Sequence, residues 1–173
     1  LFTTPEDPVE SVAEHPWLRI MKTDWDNGKL LSEYVDDQWS HCPGIGWLQY
    51  RHGAHRRDEL NQIQAKAAAM FSEMRVIAGR AMDEGMEIGG QEGEELQERG
   101  AGLYRWANSC LNKSRLIAAV QAAEVQCAIP FSALDQHDHL LVAKNCTIDL
   151  RTGEALPHDP ALYMTAGLDV EYH

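Results

Sequence analysis

The sequence predicts a single α+β domain that is mostly helical, with a small β-hairpin near its N-terminus and a β-hairpin plus a strand at its C-terminus. Two shorter stretches, 46–50 and 147–156, have strand-like patterns beside glycine-containing turns. With 173 residues, of which 44% are hydrophobic, the chain can bury one core but not two large ones. A longer stretch repeats apolar residues every three or four positions, which predicts a helix with one buried face; they are Leu60, Ile63, Ala67, Met70, Met74 and Ile77.

The N-terminal part is predicted to contain an arm followed by two helices. Residues 1–23 are acidic and contain three prolines, so we expect a mobile arm with a short apolar anchor at residues 17–20. Asp26 is expected to cap a short helix that ends near Asp37, because apolar residues recur on one face between them. Asp58 is expected to cap the longest helix of the chain.

The middle of the chain changes character at residues 81–100. This segment has five glycines and seven acids against one arginine, which predicts a mobile acidic loop or a frayed helix. Two amphipathic helices follow, separated by residues 112–114, and Pro130 ends the helical section. Apolar and polar residues then alternate between Met164 and Tyr172, which predicts a half-buried strand at the C-terminus.

The C-terminal hairpin is the most informative stretch of the sequence. Residues 147–150 alternate polar and apolar, so we expect Ile148 and Leu150 to face the same side of a strand. Gly153 supplies the positive φ that the following turn needs, and Pro157 ends the second strand.

This stretch resembles the domain just upstream of the ATPase in phage and plasmid primase-helicases, which are superfamily 3 helicases with poxvirus relatives. The resemblance covers roughly residues 24–173 and is sharpest in the last third, although Cys146 stands where the family usually has glycine. Ten residues fall on the family pattern in order and at its spacing: Asn145, Asp149, Leu150, Arg151, Thr152, Gly153, His158, Asp159, Pro160 and Thr165. The alternative for the motif is turn chemistry alone, in which Asp149 and Arg151 shape the hairpin and touch no ligand.

The resemblance implies an accessory and assembly role in a larger protein. It implies that the ATPase follows His173, and that the parent is a hexameric 3′-to-5′ DNA helicase using ATP and Mg in the cytoplasm, often fused to a primase. The partners would then be the parent ATPase domain and neighbouring helicase subunits. The GxxxxGK[ST] phosphate loop does not occur in this sequence, so we expect no ATP hydrolysis and no bound cofactor here.

Composition leaves a second function open. The net charge is −12, which favours a stand-alone acidic module that binds a replication or host protein and never touches DNA. The four cysteines form no CxxC pair, so reduced thiols are expected rather than a zinc ribbon or a disulfide scaffold. No apolar run approaches the length of a membrane helix, so no membrane partner is expected.

One basic segment is the candidate nucleic-acid interface. Residues 41–80 carry six Lys or Arg against three acids, and cations lie beside aromatic rings there. The alternative is a solvated hairpin edge protected by positive charge. Because acidic segments flank it, we expect weak or no DNA binding by the isolated domain. The candidate contact residues are Trp47, Tyr50, Arg51, Arg56 and Arg57.

The candidate metal ligands are too few. His137 and His139 would point the same way in an extended segment, with Asp135 and Asp138 beside them. A protein metal site needs a third or fourth ligand that the sequence does not locate, so we predict no metal site. No serine or cysteine has an identifiable base, and we predict no catalytic residue in this chain.

Overall fold

The structure, a computed structural model, describes residues 11–173 and confirms the α+β class. The described residues form four α-helices and two three-stranded antiparallel sheets. The helices are α1 (Asp24–Val35), α2 (Gln62–Ile88), α3 (Gly90–Cys110) and α4 (Lys113–Gln126). No helix in this part of the chain is both long enough and apolar enough to span a membrane.

Each sheet is built from three neighbouring strands of the chain. The N-terminal sheet has the order β1 (Trp39–Cys42), β2 (Gly46–Arg51) and β3 (Ala54–Arg57). The C-terminal sheet has the order β4 (Leu140–Val142), β5 (Thr147–Asp149) and β6 (Glu154–Leu156). The first sheet therefore contains the predicted hairpin and one further strand, β1, which the sequence pattern did not reveal.

The predicted N-terminal arm is partly packed. Its residues 1–10 lie outside the described residues. Val12 and Leu18 are buried in the helical core, and the predicted anchor forms a short 3-10 helix, Pro16–Arg19. The amide of Val12 donates to Oε2 of Glu84 at 2.9 Å, so residues 11–18 lie against α2. The prediction of a mobile arm is therefore wrong for these residues.

The starts of α1 and α2 depend on side chains that accept backbone N–H groups. The hydroxyl of Thr23 accepts the N–H of Asp26 at 3.1 Å, so Thr23, and not Asp26, caps α1. The Asp58 carboxylate accepts the N–H groups of Gln62 and Ile63 at 2.8 and 3.0 Å. This confirms that Asp58 stabilises the start of α2.

The predicted mobile loop at residues 81–100 is instead the end of α2, a tight turn and the first half of α3. A Cβ atom on Gly85 would lie 2.6 Å from the carbonyl oxygen of Gly93, and one on Gly100 would lie 2.8 Å from that of Ala78. The two helix backbones are therefore in contact, which only residues without a large side chain permit. Between them, Gly89 and Gly90 adopt φ of +66° and +62° and make the turn. The glycines that suggested a flexible linker are the residues that hold the hairpin together.

The predicted C-terminal strand does not form. The segment after Met164 is extended but makes only two backbone bonds to its neighbour: Leu168 N donates to Val142 O at 2.8 Å, and Lys144 N donates to Val170 O at 2.9 Å. The side chains of Leu168 and Val170 are at least half exposed. Apolar and polar residues alternate here, but the apolar side chains are not buried. The alternating pattern therefore predicted a half-buried strand wrongly.

The side chains that share the buried face of the C-terminal hairpin also differ in part from the prediction. Ile148 is buried in a small cluster with Ala143 and Cys146, whereas Leu150 is 57% exposed. Strand β5 ends at Asp149, so Leu150 belongs to the turn and does not share the face of Ile148.

The helical hairpin gives a first prediction. Gly93→Ala is expected to reduce the free energy of unfolding by about 1–3 kcal/mol, because the new methyl group overlaps the Gly85 carbonyl oxygen. The matched control is Gly79→Ala, in the interior of α2, where a Cβ meets nothing within 4 Å. That control should be neutral or stabilise by about 0.5–1 kcal/mol. Urea unfolding followed by circular dichroism measures both; equal effects would show that α2 and α3 are not in backbone contact.

Candidate functional site

A groove opens beside the N-terminal sheet, next to the start of α2. Its cavity volume is about 860 Å³, within the range of ligand and peptide sites. Strands β2 and β3 form one wall, residues 58–62 form a second, and residues 131–135 form the third. This surface is called the basic groove below, because Arg51, Arg56 and Arg57 all line it.

The three arginines differ in how they are held. The guanidinium of Arg51 donates to the side-chain oxygens of Gln49 and Gln62. Arg56 and Arg57 are exposed on β3, and within residues 11–173 no carboxylate forms an ion pair with either of them. These two cations are therefore available to an anionic partner.

Three acids also line the groove, Asp58, Glu59 and Asp135; Glu59 is exposed, and local structure holds the other two. Asp58 caps α2 through its two carboxylate oxygens. Asp135 adopts φ of +52° and accepts hydrogen bonds from the backbone N–H and the hydroxyl of Thr165. The three acids equal the three arginines in formal charge, and Asp58 and Glu59 directly follow β3, so the basic part of the groove is β3 itself, at Arg56 and Arg57.

The aromatic residues predicted to stack on bases are largely covered. Trp47 is only 8% exposed and packs edge to face against Trp39, with ring centroids 6.4 Å apart. Tyr50 is half-buried with its ring 5.0 Å from that of His55, and burial raises the pKa of its hydroxyl. Neither Trp47 nor Tyr50 lines the groove beside the arginines, so the predicted combination of cations and stacking platforms is not found in the groove at these two residues.

Two exposed apolar side chains lie at the groove instead. Leu60 was predicted to belong to the buried stripe of the longest helix, which is wrong because it precedes α2, and Phe131 was not predicted to lie here. Leu60 is 78% exposed and Phe131 is 69% exposed. Phe131 reaches the groove because the segment after α4 pairs with β1: His41 N donates to Cys127 O, and Ile129 N donates to His41 O. Pro130 was the one local signal for this turn, and nothing in the sequence shows that the chain returns to the N-terminal sheet.

A buried histidine joins the two sheets. His55 is 1% exposed, and its Nε2 lies 2.8 Å from the carbonyl oxygen of Pro160 in the family motif. Its ring lies between those of Tyr50 and Tyr163, at centroid distances of 5.0 and 5.2 Å. Burial lowers the pKa of His55, so the imidazole is neutral near pH 7. Its backbone N–H also donates to Met164 O at 2.7 Å.

Gly53 allows a second close contact between the sheets. It has φ of +80°, and a Cβ there would overlap the ring of His158 and lie 2.8 Å from Cγ1 of Val142. The His158 ring is fixed in turn by Thr147, whose hydroxyl lies 3.1 Å from Nδ1. The β2–β3 turn therefore packs directly against the C-terminal sheet.

The DLRTGE part of the motif shapes its own turn. The guanidinium of Arg151 donates to both carboxylate oxygens of Asp149, at 3.1 and 2.8 Å, and the Arg151 N–H donates at 2.9 Å. These hydrogen bonds lower the pKa of Asp149 to about 2. Gly153 has the expected positive φ of +75°, and its N–H donates to Asp149 O at 2.7 Å. These are the contacts that the turn-chemistry alternative describes.

The remaining motif residues also make contacts within the domain. Both side-chain groups of Asn145 bond to the backbone of Tyr172 at 3.0 Å, which holds the C-terminal segment. The Asp159 carboxylate accepts the N–H of Ala161 at 2.8 Å and caps the 3-10 helix Pro160–Leu162. The Thr152 hydroxyl accepts the N–H of Glu154 at 3.2 Å.

The candidate metal ligands do not come together. The rings of His137 and His139 are 6.1 Å apart and perpendicular. Across residues 11–173, no group of three or more His, Cys, Asp or Glu side chains is arranged to hold a metal ion. The four cysteines are free thiols.

Comparison with protein families identifies the family of this chain. Residues 28–173 match the family model described as D5 N terminal like. The matched range contains the basic groove, the helical hairpin and the whole C-terminal motif. No curated protein matches the chain.

The contact between the sheets gives a second prediction. Gly53→Ala is expected to destabilise the domain by about 1–3 kcal/mol more than Gly153→Ala. Both glycines have similar positive φ, so both changes carry about 1 kcal/mol of backbone strain, but only Gly53 faces atoms of the other sheet. Thermal or urea unfolding of the two variants measures the difference. Equal destabilisation would show that the sheets are not in contact at Gly53.

Proposed function

We propose, because this chain belongs to the D5 N-terminal-like family, that it is a non-catalytic accessory and assembly domain of a superfamily 3 replicative DNA helicase. The parent would be encoded by a phage, prophage or plasmid, act in the cytoplasm of the host cell, and carry its ATP and Mg sites in another domain. The direct partners of this domain would be the ATPase domain and the neighbouring subunits.

The observation that carries the proposal is the family match over residues 28–173 together with the place of the motif in the fold. The motif builds the C-terminal sheet, and this sheet is locked to the N-terminal sheet through His55 and Gly53. Four motif residues bond to other parts of the domain, so the motif supports a rigid platform; they are Asn145, His158, Pro160 and Thr165. A rigid platform suits a domain that holds other parts of an assembly in place.

The coding sequence and an activity assay test this proposal together. We expect the reading frame to continue beyond residue 173 into a domain with a GxxxxGK[ST] loop, and the 173-residue chain alone to release no phosphate from ATP above a heat-denatured control. A stop codon after residue 173, or ATP turnover that a point substitution in this chain removes, would contradict the proposal.

A second candidate function is an acidic protein-interaction module that binds a replication or host protein. The observation that favours it is the exposed carboxylates on the helical hairpin, where Asp83, Glu87, Glu92, Glu94, Glu95 and Glu98 are all exposed. Capture of a protein partner that is insensitive to salt, in a chain that no ATPase follows, would support this candidate over the first.

Nucleic-acid binding by the basic groove remains a prediction. We expect weak or undetectable binding of single-stranded DNA at physiological salt, because the acidic segments cancel long-range attraction beyond about 10 Å at 0.1 M salt. Any residual binding should vanish in an Arg56→Glu/Arg57→Glu variant, with a Glu33→Lys/Asp37→Lys variant as a control away from the groove. Fluorescence anisotropy of a labelled oligonucleotide measures this. Submicromolar binding that survives in the arginine variant would place the contact elsewhere.

A further inference from the structure

The two ends of α2 carry complementary surfaces, and we infer that the acidic end of one copy docks in the basic groove of a second copy. This inference rests on the proposed assembly function and names the surfaces that would carry it. The occupant of the groove is the tip of the α2–α3 hairpin from another molecule of the same chain.

The groove supplies cations and exposed apolar surface together. Arg56 and Arg57 lie on β3 without an ion-pair partner in the described chain, and Leu60 and Phe131 are both more than two-thirds exposed. A site for single-stranded nucleic acid would be expected to place aromatic faces beside the cations, but Trp47 is buried. Apolar surface that is rimmed by charged side chains is typical of a protein–protein contact.

The hairpin tip supplies the complementary groups. We define the acidic tip as Met86, Glu87, Ile88, Glu92 and Glu94, which lie on both sides of the Gly89–Gly90 turn. All five side chains are exposed, with Met86 at 66% and Ile88 at 45%. The segment 81–100 carries seven acids against one arginine, so anions surround an apolar centre. The backbone contact between Gly85 and Gly93 fixes the shape of this tip.

The same molecule cannot bring these two surfaces together. The groove includes Gln62, the first residue of α2, and the tip includes Ile88, its last residue. A helix of 27 residues is about 40 Å long at 1.5 Å per residue. A groove and a tip separated by a rigid helix can meet only between different copies.

Such a contact is head to tail, because different surfaces of the two copies take part. A head-to-tail contact repeats from copy to copy and gives a closed ring if the rotation closes, or an open filament if it does not. Each copy would use its groove for one neighbour and its tip for the other. The attraction should weaken as salt rises, since exposed charges contribute much of it.

Charge exchange tests the inference in the complete 173-residue chain. The groove variant is Arg56→Glu/Arg57→Glu, and the tip variant is Glu87→Lys/Glu94→Lys. Each variant alone presents like charges at both surfaces, whereas an equimolar mixture restores opposite charges at every contact. The control variant Glu33→Lys/Asp37→Lys changes the net charge as much as the tip variant does, but at exposed positions in or just after α1. Sedimentation velocity at low salt, over a range of protein concentrations, measures association.

The inference predicts that the wild-type chain and the control variant associate as concentration rises. Each of the groove and tip variants should associate at least about tenfold more weakly, and their mixture should regain the wild-type association. Circular dichroism checks that each variant is folded.

Three outcomes would overturn the inference: a wild-type chain that stays monomeric, a mixture that fails to associate, or a groove variant that loses only oligonucleotide binding. The last outcome would assign the groove to nucleic acid. The coding-sequence test of the proposed function is independent of these results. A chain that precedes an ATPase but never associates would refute the docking and leave the accessory function standing.

Discussion

The contact between the backbones of α2 and α3 is the constraint on which the longest part of the structure depends. Each of the three glycines at this interface faces the carbonyl oxygen of the opposite helix: Gly85, Gly93 and Gly100. Helices normally pack at 8–10 Å because side chains separate them, and glycine allows a closer approach. Because backbone lies against backbone at these glycines, the interface there needs no large apolar side chain, and exposed acids occupy the outer faces. A segment with few hydrophobic residues is thereby ordered by backbone contact.

A second constraint is the contact between the N-terminal sheet and the C-terminal part of the chain. The β2–β3 turn at Gly53 and strand β3 at His55 contact the segment that follows the C-terminal sheet, and the atoms on that side belong to His158, Pro160 and Met164. The histidine is buried and neutral, and its Nε2–H donates to the carbonyl oxygen of Pro160. The C-terminal family motif therefore packs against the β2–β3 hairpin, which is distant in sequence. Because β2 and β3 form one wall of the basic groove, the motif also supports that wall.

Sequence reasoning succeeded where the signal is local. The helix stripe from Ile63 to Ile77, the stabilisation of the helix start by the Asp58 carboxylate and the positive φ of Gly153 are each determined by a few neighbouring residues, and all three are confirmed. Leu60, the first predicted member of the stripe, is the exception, since it precedes α2 and is exposed. It failed where the partner is distant. The glycines of residues 81–100 have the composition of a flexible linker, and only the opposite helix shows that they are packing positions. Trp47 looked available for stacking because the sequence did not reveal β1, whose Trp39 covers it. Phe131 was not considered, since its place beside β3 depends on a pairing between His41 and the segment after α4.

Residues 81–100 form a rigid arm and not a linker. Only a rigid helix can hold the groove and the tip apart within one molecule. Native-state hydrogen exchange, resolved by peptide or by residue, measures this most directly. The account predicts that amides on both sides of the turn, at residues 84–87 and 94–100, exchange as slowly as those of the buried stripe at residues 70–74. Exchange of residues 84–100 at the rate of an unstructured chain, with the stripe still protected, would contradict it.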